Sequence, residues 1–309
     1  MEEGKDILTI QHQGVKILDT FAEAFTVTGA RLIVTAESPG WADIAGRTAT
    51  GYASSVIGCD AEAGIEKVLS SEETPDGRPG VSLLFFAFSR DSLQKALVNR
   101  VGQSILTCPT TSVFNGLAID PGQAISLGGA LRFFGDGYQT SKVVDKTRYW
   151  RIPVMDGEFL CEDKIGTVKG VAGGNILIQG ETQELALEAA SRAVESARQV
   201  PGVILPFPGG VVRSGSKVGS KYKKLKASTN YEYCPTLRGA TNSLLEPGVS
   251  AVYEIVIDGL SLEAVTQASK AALNAACIRG VLAIGAGNYG GKLGPHHIYL
   301  RNLVDNSNS

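Results

Sequence analysis

Two places in the sequence combine residue types that do chemistry. The first is residues 205–221, LPFPGGVVRSGSKVGSK. Pro206 and Pro208 stop regular structure and force an extended exit from a strand. Gly209 and Gly210 follow, where backbone turns with positive φ or comes close to a ligand. Ser214, Gly215, Ser216, Lys217, Gly219, Ser220 and Lys221 then alternate small and basic types. From 213 to 226 there are one Arg, five Lys and no acid. Such a loop offers backbone N–H groups, hydroxyls and ammonium groups to an anion. A plain solvated basic loop has the same composition. The order G-x-x-x-x-G-S-K over 210–217 is not the nucleoside-triphosphate loop, which needs Lys directly after the second Gly.

The second place is Glu254, in the apolar run AVYEIVI. On a strand it shares a face with Val252 and Val256. An unpaired carboxylate on an apolar face has a raised pKa and stays protonated near neutral pH. A neutral carboxylic acid donates a hydrogen bond to a developing oxyanion or a leaving amine. The competing readings are a pair with Lys or Arg, or a solvent-facing side chain.

Other candidates carry less. Asp76 and Arg78 sit in the turn PDGR, a composition that usually makes only a turn. Asn288 and Lys292 lie in the glycine-rich strand exit GAGNYGGK, which lacks Rossmann spacing. Gly170, Gly173 and Gly174 form another loop fit for close approach. Tyr222, Tyr231 and Tyr233 flank the basic loop, where rings beside cations stack a flat ligand or simply pack. The three histidines (His12, His296, His297) make a poor metal set, because adjacent residues on a strand face opposite ways. The five cysteines are widely spaced with no CxxC, and read as buried apolar residues in a reducing compartment. Neither a metal centre nor a Ser–His–Asp triad is expected.

These residues need elements to hold them. Residues 15–25 read as a short strand entering a helical turn, 31–36 as a strand, 41–50 as a helix and 54–59 as a second strand. After the turn segment 72–80 come a strand (81–88), an amphipathic helix (90–101) and a strand (104–107). The order recurs later: strand 176–179, helix 185–200 capped by Thr182, strand 202–205, then, past the basic insertion, strand 252–258, helix 261–277 and strand 281–284. Pro247-Gly248-Val249-Ser250 repeats Pro79-Gly80-Val81-Ser82 at the start of the third strand in each half. The expected fold is α/β (α+β): two ferredoxin-like βαββαβ lobes from an internal duplication. Extra hairpins are expected over 124–171. The division falls near Trp150, giving lobes 1–150 and 151–309, the second carrying the basic loop. A last strand is expected over 297–303, before a polar tail, 305–309, expected to be disordered.

The whole chain sets limits. It has 309 residues, enough for two cores. Hydrophobic residues make up 43% and charged residues 19%, and 29 basic against 31 acidic residues leave a net charge of −2. Nothing global draws this chain to nucleic acid or an acidic membrane. Residues 1–6 are acidic and polar, so no secretory signal is visible, and no stretch reaches about 20 apolar residues. A cytoplasmic location is expected.

Several motifs then carry a resemblance: DTFAEAF (19–25), EETPDGRPGV (72–81), FFGDGYQ (133–139), VAGGN (171–175), PFPGGVVRSGSKVGSK (206–221), ASTN (227–230), VYEIVIDGL (252–260) and GNYGGKLG (287–294). In this order, over about 14–303, the chain resembles the formylmethanofuran–tetrahydromethanopterin formyltransferases. The resemblance implies transfer of a formyl group between the amine nitrogen of formylmethanofuran, or an analogue, and N5 of tetrahydromethanopterin. It implies a tetrahedral intermediate, no tightly bound cofactor, and Glu254 as the residue similar to the family's proposed catalytic glutamate. Substrate contacts are expected from Asp76, Arg78, Gly209, Gly210, Ser214, Ser216, Lys217, Ser220, Lys221, Asn230, Asn288 and Lys292. A homo-oligomer (dimer of dimers) is expected, or a subunit of a formyltransferase/hydrolase complex. Residues 1–13 and the tail extend beyond the family core. The balanced charge differs from the acidic, salt-adapted members and leans towards a mesophilic, methylotrophic host. A second reading, a scaffold subunit that binds pterin or methanofuran without chemistry of its own, is separated from the first by an assay on the lone chain.

Overall fold

Every helix longer than two turns among the described residues starts at a hydroxyl. Ser38, Ser89, Thr182 and Ser261 accept backbone N–H bonds from Trp41, Ser92, Leu185 and Ala264 at 3.1–3.4 Å. They open helices Pro39–Thr50, Arg90–Arg100, Gln183–Ala197 and Leu262–Ala276. Each cap satisfies an N–H that the first turn leaves unpaired, worth about 1 kcal/mol. The computed structural model describes residues 8–120 and 122–304. The acidic leader 1–6 and the tail 305–309 lie outside the described residues. The protein is mixed α/β, and its contacts divide it into two units: 27–170, and 1–26 together with 171–309.

In the unit 27–170, strand Phe21–Thr35 supplies its second half as the centre of an antiparallel set. It pairs with Gly80–Ala87 on one side and Ser112–Asn115 on the other, and Glu62–Leu69 pairs with Gly80–Ala87. Helices Pro39–Thr50 and Arg90–Arg100 bury Ala42, Ala45, Ala49, Leu93 and Leu97 in the same core as Leu32, Val34, Leu83 and Phe85. Gly46 lets the first helix approach closely: a Cβ there would meet Val81, Ile65 and Leu83 at 3.0–3.3 Å. Strands Gly157–Glu162, Thr147–Val154 and Thr140–Val144 form the expected hairpins. They join through a parallel pairing of Gly157–Glu162 with Ser112–Asn115.

The other unit repeats that order of elements. Strand Thr167–Gly180 pairs antiparallel with Ala251–Gly259 and Val281–Gly285, and the short strand Val203–Ile204 pairs with Ala251–Gly259. In both units the neighbours run second, third, first, fourth strand. Helices Gln183–Ala197 and Leu262–Ala276 press alanine faces (Ala189, Ala190, Ala193; Ala268, Ala272, Ala276) into a core with Ile176, Ile178, Ile255 and Ile257. Val15–Leu18 adds a parallel strand beside Val281–Gly285, and Thr9–His12 pairs with it.

Four local expectations change. Residues 19–25 are not helical: Phe21–Thr35 is one strand, whose start pairs antiparallel with His296–Tyr299. Ala22, Glu23 and Ala24 favour helix locally, and that distant partner overrides them. Residues 54–59 are a loop, and the strand comes later, at Glu62–Leu69. Residues 104–107 continue the helical path as a wider turn, Val101–Ile105, and the strand is Ser112–Asn115. Only Cys161 and Cys277 of the five cysteines are buried. By contact, residues 8–26 pack with the C-terminal half, so the chain passes from one unit to the other after residues 26 and 170. No helix among the described residues is long and apolar enough to cross a membrane.

Candidate active site

Strand Ala251–Gly259 carries Glu254 directly opposite Leu177. On its other side the 205–250 insertion re-enters the sheet at a single point. The Val212 N–H donates to the Glu254 carbonyl at 2.7 Å and the Glu254 N–H to the Val212 carbonyl at 3.0 Å. That pairing brings the basic loop alongside the carboxylate. Four residues later the Ser216 hydroxyl donates to Oε1 of Glu254 at 2.6 Å.

Glu254 is only 2% exposed, and its Oε2 has no hydrogen-bond partner among the described residues. Burial pushes its pKa up to about 7, against bonds from the Ser216 hydroxyl and backbone N–H that hold it down. Among the described residues no Lys or Arg pairs with it, so neither competing reading of Glu254 describes this side chain. Near neutral pH the carboxyl is present in both protonation states.

Glu254 lines a cavity of about 240 Å³ with Thr20, Asn175, Ser216, Lys217, Asn230 and Asn288. Tyr233, whose phenol is pushed up to about 12 by burial and by the charges of Glu232 and Glu254, also lines it. A pocket of about 40 Å³ meets Glu254 beside Ser214, Gly215, Asn230 and Cys234. Lys217 also faces a wider cleft of about 970 Å³ with Ser220, Lys221, Tyr222 and Tyr231. The Lys217 ammonium lies over the Tyr231 ring, 3.8 Å from its centroid. Ammonium and aryl groups thus occur together on the cleft wall, as an anionic substrate with a flat ring requires.

The expected site residues separate accordingly. Ser214, Ser216, Lys217, Asn230, Asn288 and Glu254 line the two cavities at the carboxyl, and Ser220 and Lys221 line the cleft. Gly209 and Gly210 lie in the turn Pro208–Gly210, outside all three spaces. Gly210, at φ +88°, packs so closely on Val194 that a Cβ would meet it at 2.8 Å. Lys292 lines none of the three. Asp76 and Arg78 belong to the other unit and bind one another. The Arg78 guanidinium also donates to the Thr35 and Ser112 hydroxyls and the Thr110 carbonyl. That is a clasp across the turn and two strands. No group of three or more His, Cys, Asp or Glu in metal-binding range occurs among the described residues.

Three residues that matter here were not singled out by the sequence. Asn175 pairs its side-chain amide with both backbone groups of Gly287, accepting at 2.7 Å and donating at 3.3 Å. Glu23, 1% exposed, accepts four backbone N–H bonds from Tyr289, Gly291, Leu293 and Gly294 at 2.5–2.9 Å. Burial would raise its pKa, but those four bonds bring it below the usual carboxylate value. Tyr289 binds the basic loop: its hydroxyl donates to the Ser216 carbonyl and accepts the Val218 N–H, each at 3.1 Å. A carboxylate within the apolar run FAEAF is the same signal that marks Glu254, and it was there to be read.

Known proteins match along nearly the whole length. The family model described as formylmethanofuran-tetrahydromethanopterin formyltransferase matches residues 10–154, and the model of that family's proximal lobe matches 157–303. The formylmethanofuran–tetrahydromethanopterin formyltransferase of Methylobacillus flagellatus is 55% identical over 299 residues, covering 94% of this chain and 98% of the relative. A subunit of the formyltransferase/hydrolase complex of Methylorubrum extorquens is 53% identical over 302 residues, covering 94% and 96%. Among solved structures, that complex bound to methylofuran contains a chain with a TM-score of 0.93 at 52% identity, covering 96% of this chain and 99% of its own. The formyltransferase of Methanosarcina barkeri gives 0.89 at 46%, covering 95% and 100%.

Proposed function

We infer that this chain, which belongs to the formylmethanofuran–tetrahydromethanopterin formyltransferase family, uses Glu254 as the acid that stabilises and resolves the tetrahedral intermediate of formyl transfer. The chain is a formyltransferase. Its substrates are formylmethanofuran, or a methanofuran analogue, and tetrahydromethanopterin.

The reaction balances with these two substrates alone. The N5 lone pair adds to the formyl carbon and the carbonyl π electrons move to oxygen. Collapse breaks the C–N bond to the donor amine, and the proton lost from N5 ends on that released nitrogen. We place no tightly bound cofactor in this sequence. One observation carries the role of Glu254: a buried carboxyl poised at about 7, with Oε1 held by Ser216 and Oε2 without a partner among the described residues. When neutral, it carries its proton on Oε2 and donates it to the forming oxyanion. A donor of this kind is worth about 3–4 kcal/mol in comparable sites. Holding the two reacting atoms in line supplies several kcal/mol more.

For substrate contact we assign Ser214, Ser216, Lys217, Asn230 and Asn288 around the carboxyl, with Ser220 and Lys221 steering anionic groups along the cleft. To Gly209, Gly210, Asp76 and Arg78 we give the shaping of their own loops, which their packing and hydrogen bonds support. We read the matching strand orders as two ferredoxin-like lobes from one duplication. Along the chain they divide near residue 150, in line with family models that meet between 154 and 157. We place the protein in the cytoplasm, as a homo-oligomer or as a subunit of a formyltransferase/hydrolase complex, on the strength of its likeness to such a subunit.

The test is formylation of tetrahydromethanopterin by the purified chain, with Glu254→Gln beside it. Turnover in the wild type and a deep loss in the folded variant support the assignment. Equal turnover in the two removes Glu254 from the chemistry.

A further inference from the structure

We propose that Tyr289 is a positioning residue for Glu254, holding the 216–218 segment so that the Ser216 hydroxyl stays on the carboxyl. The proposal rests on the role given to Glu254 above. The Tyr289 hydroxyl grips this segment at two points, donating to the Ser216 carbonyl and accepting from the Val218 N–H. At the first of these points the chain presents Ser216, whose hydroxyl bonds Oε1 at 2.6 Å.

Tyr289 is itself held. Its backbone N–H donates to Oε2 of Glu23 at 2.6 Å, and three more N–H groups of the same loop converge on that carboxylate. The convergence needs the chain to fold back on itself, through Gly290 at φ +72° and Gly291 at φ +70°. The anchored loop places the phenol, the phenol places Ser216, and Ser216 sets how strongly Glu254 holds its proton. Besides this grip, a two-residue ribbon, Lys217–Val218 with Ala227–Ser228, steadies the basic loop. A hydroxyl bond to the ionised form favours ionisation, so loosening Ser216 moves the titration of Glu254 to higher pH. The titratable groups lining the two cavities at Glu254 are Arg213, Lys217, Glu232, Tyr233, Cys234 and Tyr289. Phenylalanine at 289 leaves the side chains of the other five unchanged.

The experiment reads Glu254 directly. The titration of its carboxyl is followed by ¹³C NMR on glutamate-labelled protein, with Glu254→Gln identifying the signal, and kcat and KM are measured against pH in parallel. Tyr289→Phe is expected to raise the titration midpoint and to carry the alkaline limb of the kcat profile to higher pH with it, with little change in KM. Ser216→Ala is expected to raise the midpoint in the same way, any change in KM reflecting its own substrate contact, and Tyr289→Phe added to Ser216→Ala to move the midpoint no further, because both act through one bond. A midpoint unchanged in folded Tyr289→Phe overturns the proposal, as does an equal shift in the Ser216→Ala background. Should Tyr289→Phe not fold, Glu23→Gln, which loosens the same loop, must give the shift instead. If the midpoints move as expected while turnover ignores them, the positioning stands and the catalytic role of Glu254 falls.

Discussion

Glu23 and Glu254 sit on different strands of the same unit, and the sequence presents them alike: one carboxylate within an apolar β-run. Both are buried, at 1% and 2% exposure. Their chemistry is opposite. Glu23 receives four backbone N–H bonds and is held below the usual carboxylate pKa; Glu254 receives its bonds from one residue, Ser216, and is pushed up to about 7. Glu254 lies deeper, with few donors, and Glu23 lies shallower, among four, so depth of burial and number of donors together decide the sign. A carboxylate surrounded by backbone donors becomes a permanent anion that ties a loop. One left with a bare oxygen becomes an acid that works near neutral pH. In the mechanism proposed the two act together, because the loop tied by the first carries the tyrosine that reaches the surroundings of the second.

The largest expected effect tests that division of labour. Glu254→Gln should lower kcat by roughly 10²–10³-fold, the range for losing an oxyanion donor, while leaving stability at pH 8 unchanged or raised, since it removes a buried charge with an unpartnered oxygen. Glu23→Gln should act chiefly on folding, reaching the kinetics only through the loosened Tyr289 loop. The amide presents its own N–H groups to some of the four donors, and buried donors left unpaired should destabilise the protein by roughly 2–4 kcal/mol. Steady-state kinetics and urea denaturation on both variants separate the roles. A Glu23 variant of wild-type stability, or a Glu254 variant that unfolds readily at pH 8, would erase the contrast.

The two carboxylates should also tilt the pH dependence of stability in opposite directions. The folded-state pKa of Glu254 lies above its ordinary 4.5, so below 4.5 the group is neutral folded or unfolded and costs nothing. Between about 4.5 and 7 the unfolded chain releases the proton and the native one keeps it, so stability falls as pH rises through this window. The sum is about 3 kcal/mol at 1.36 kcal/mol per unit. Glu23 has a lowered folded pKa, so its contribution is present above 4.5 and is lost as pH falls through its folded value. Melting temperatures from pH 4 to 8 should show the gain from Glu254→Gln growing up to about pH 7, and the loss from Glu23→Gln shrinking towards the acid end. Parallel curves for the two variants would show that depth and donor number do not set the sign.

This contrast marks what the sequence made legible. Glu254 was readable because strand alternation alone puts it on an apolar face. The repeated order of strands and helices was readable because hydroxyl caps and apolar periodicity are local signals. Glu23 carried the same mark, yet its surroundings, Ala22 and Ala24, favour helix, and what makes them a strand is His296–Tyr299, some 270 residues away. Asp76 and Arg78, read at short range as ligand groups, likewise take partners the sequence does not place beside them, since Thr35, Thr110 and Ser112 engage them from distant strands. Asn175 and Tyr289 act through partners more than 70 residues off. A polar residue can be found from sequence by the environment it disturbs, but its role follows from the number and identity of its partners, and long-range pairing supplies those.

The smallest expected effect gives the finest test of the donor argument. Ser216→Ala takes the one side-chain donor from Glu254 and so moves it further from the condition of Glu23. A hydroxyl bonded to an ionised carboxylate is stronger than one bonded to the neutral acid. The loss should therefore be about 1 kcal/mol at pH 8, where Glu254 is mostly ionised, and smaller at pH 5, where it is mostly neutral. Urea denaturation of wild type and variant at the two pH values measures the difference, with Glu254→Gln/Ser216→Ala as the background in which the pH dependence should vanish. A loss of equal size at both pH values would mean that Ser216 packs against Glu254 without sensing its charge, and the low donor count at this carboxyl would then need another explanation than a poised acid.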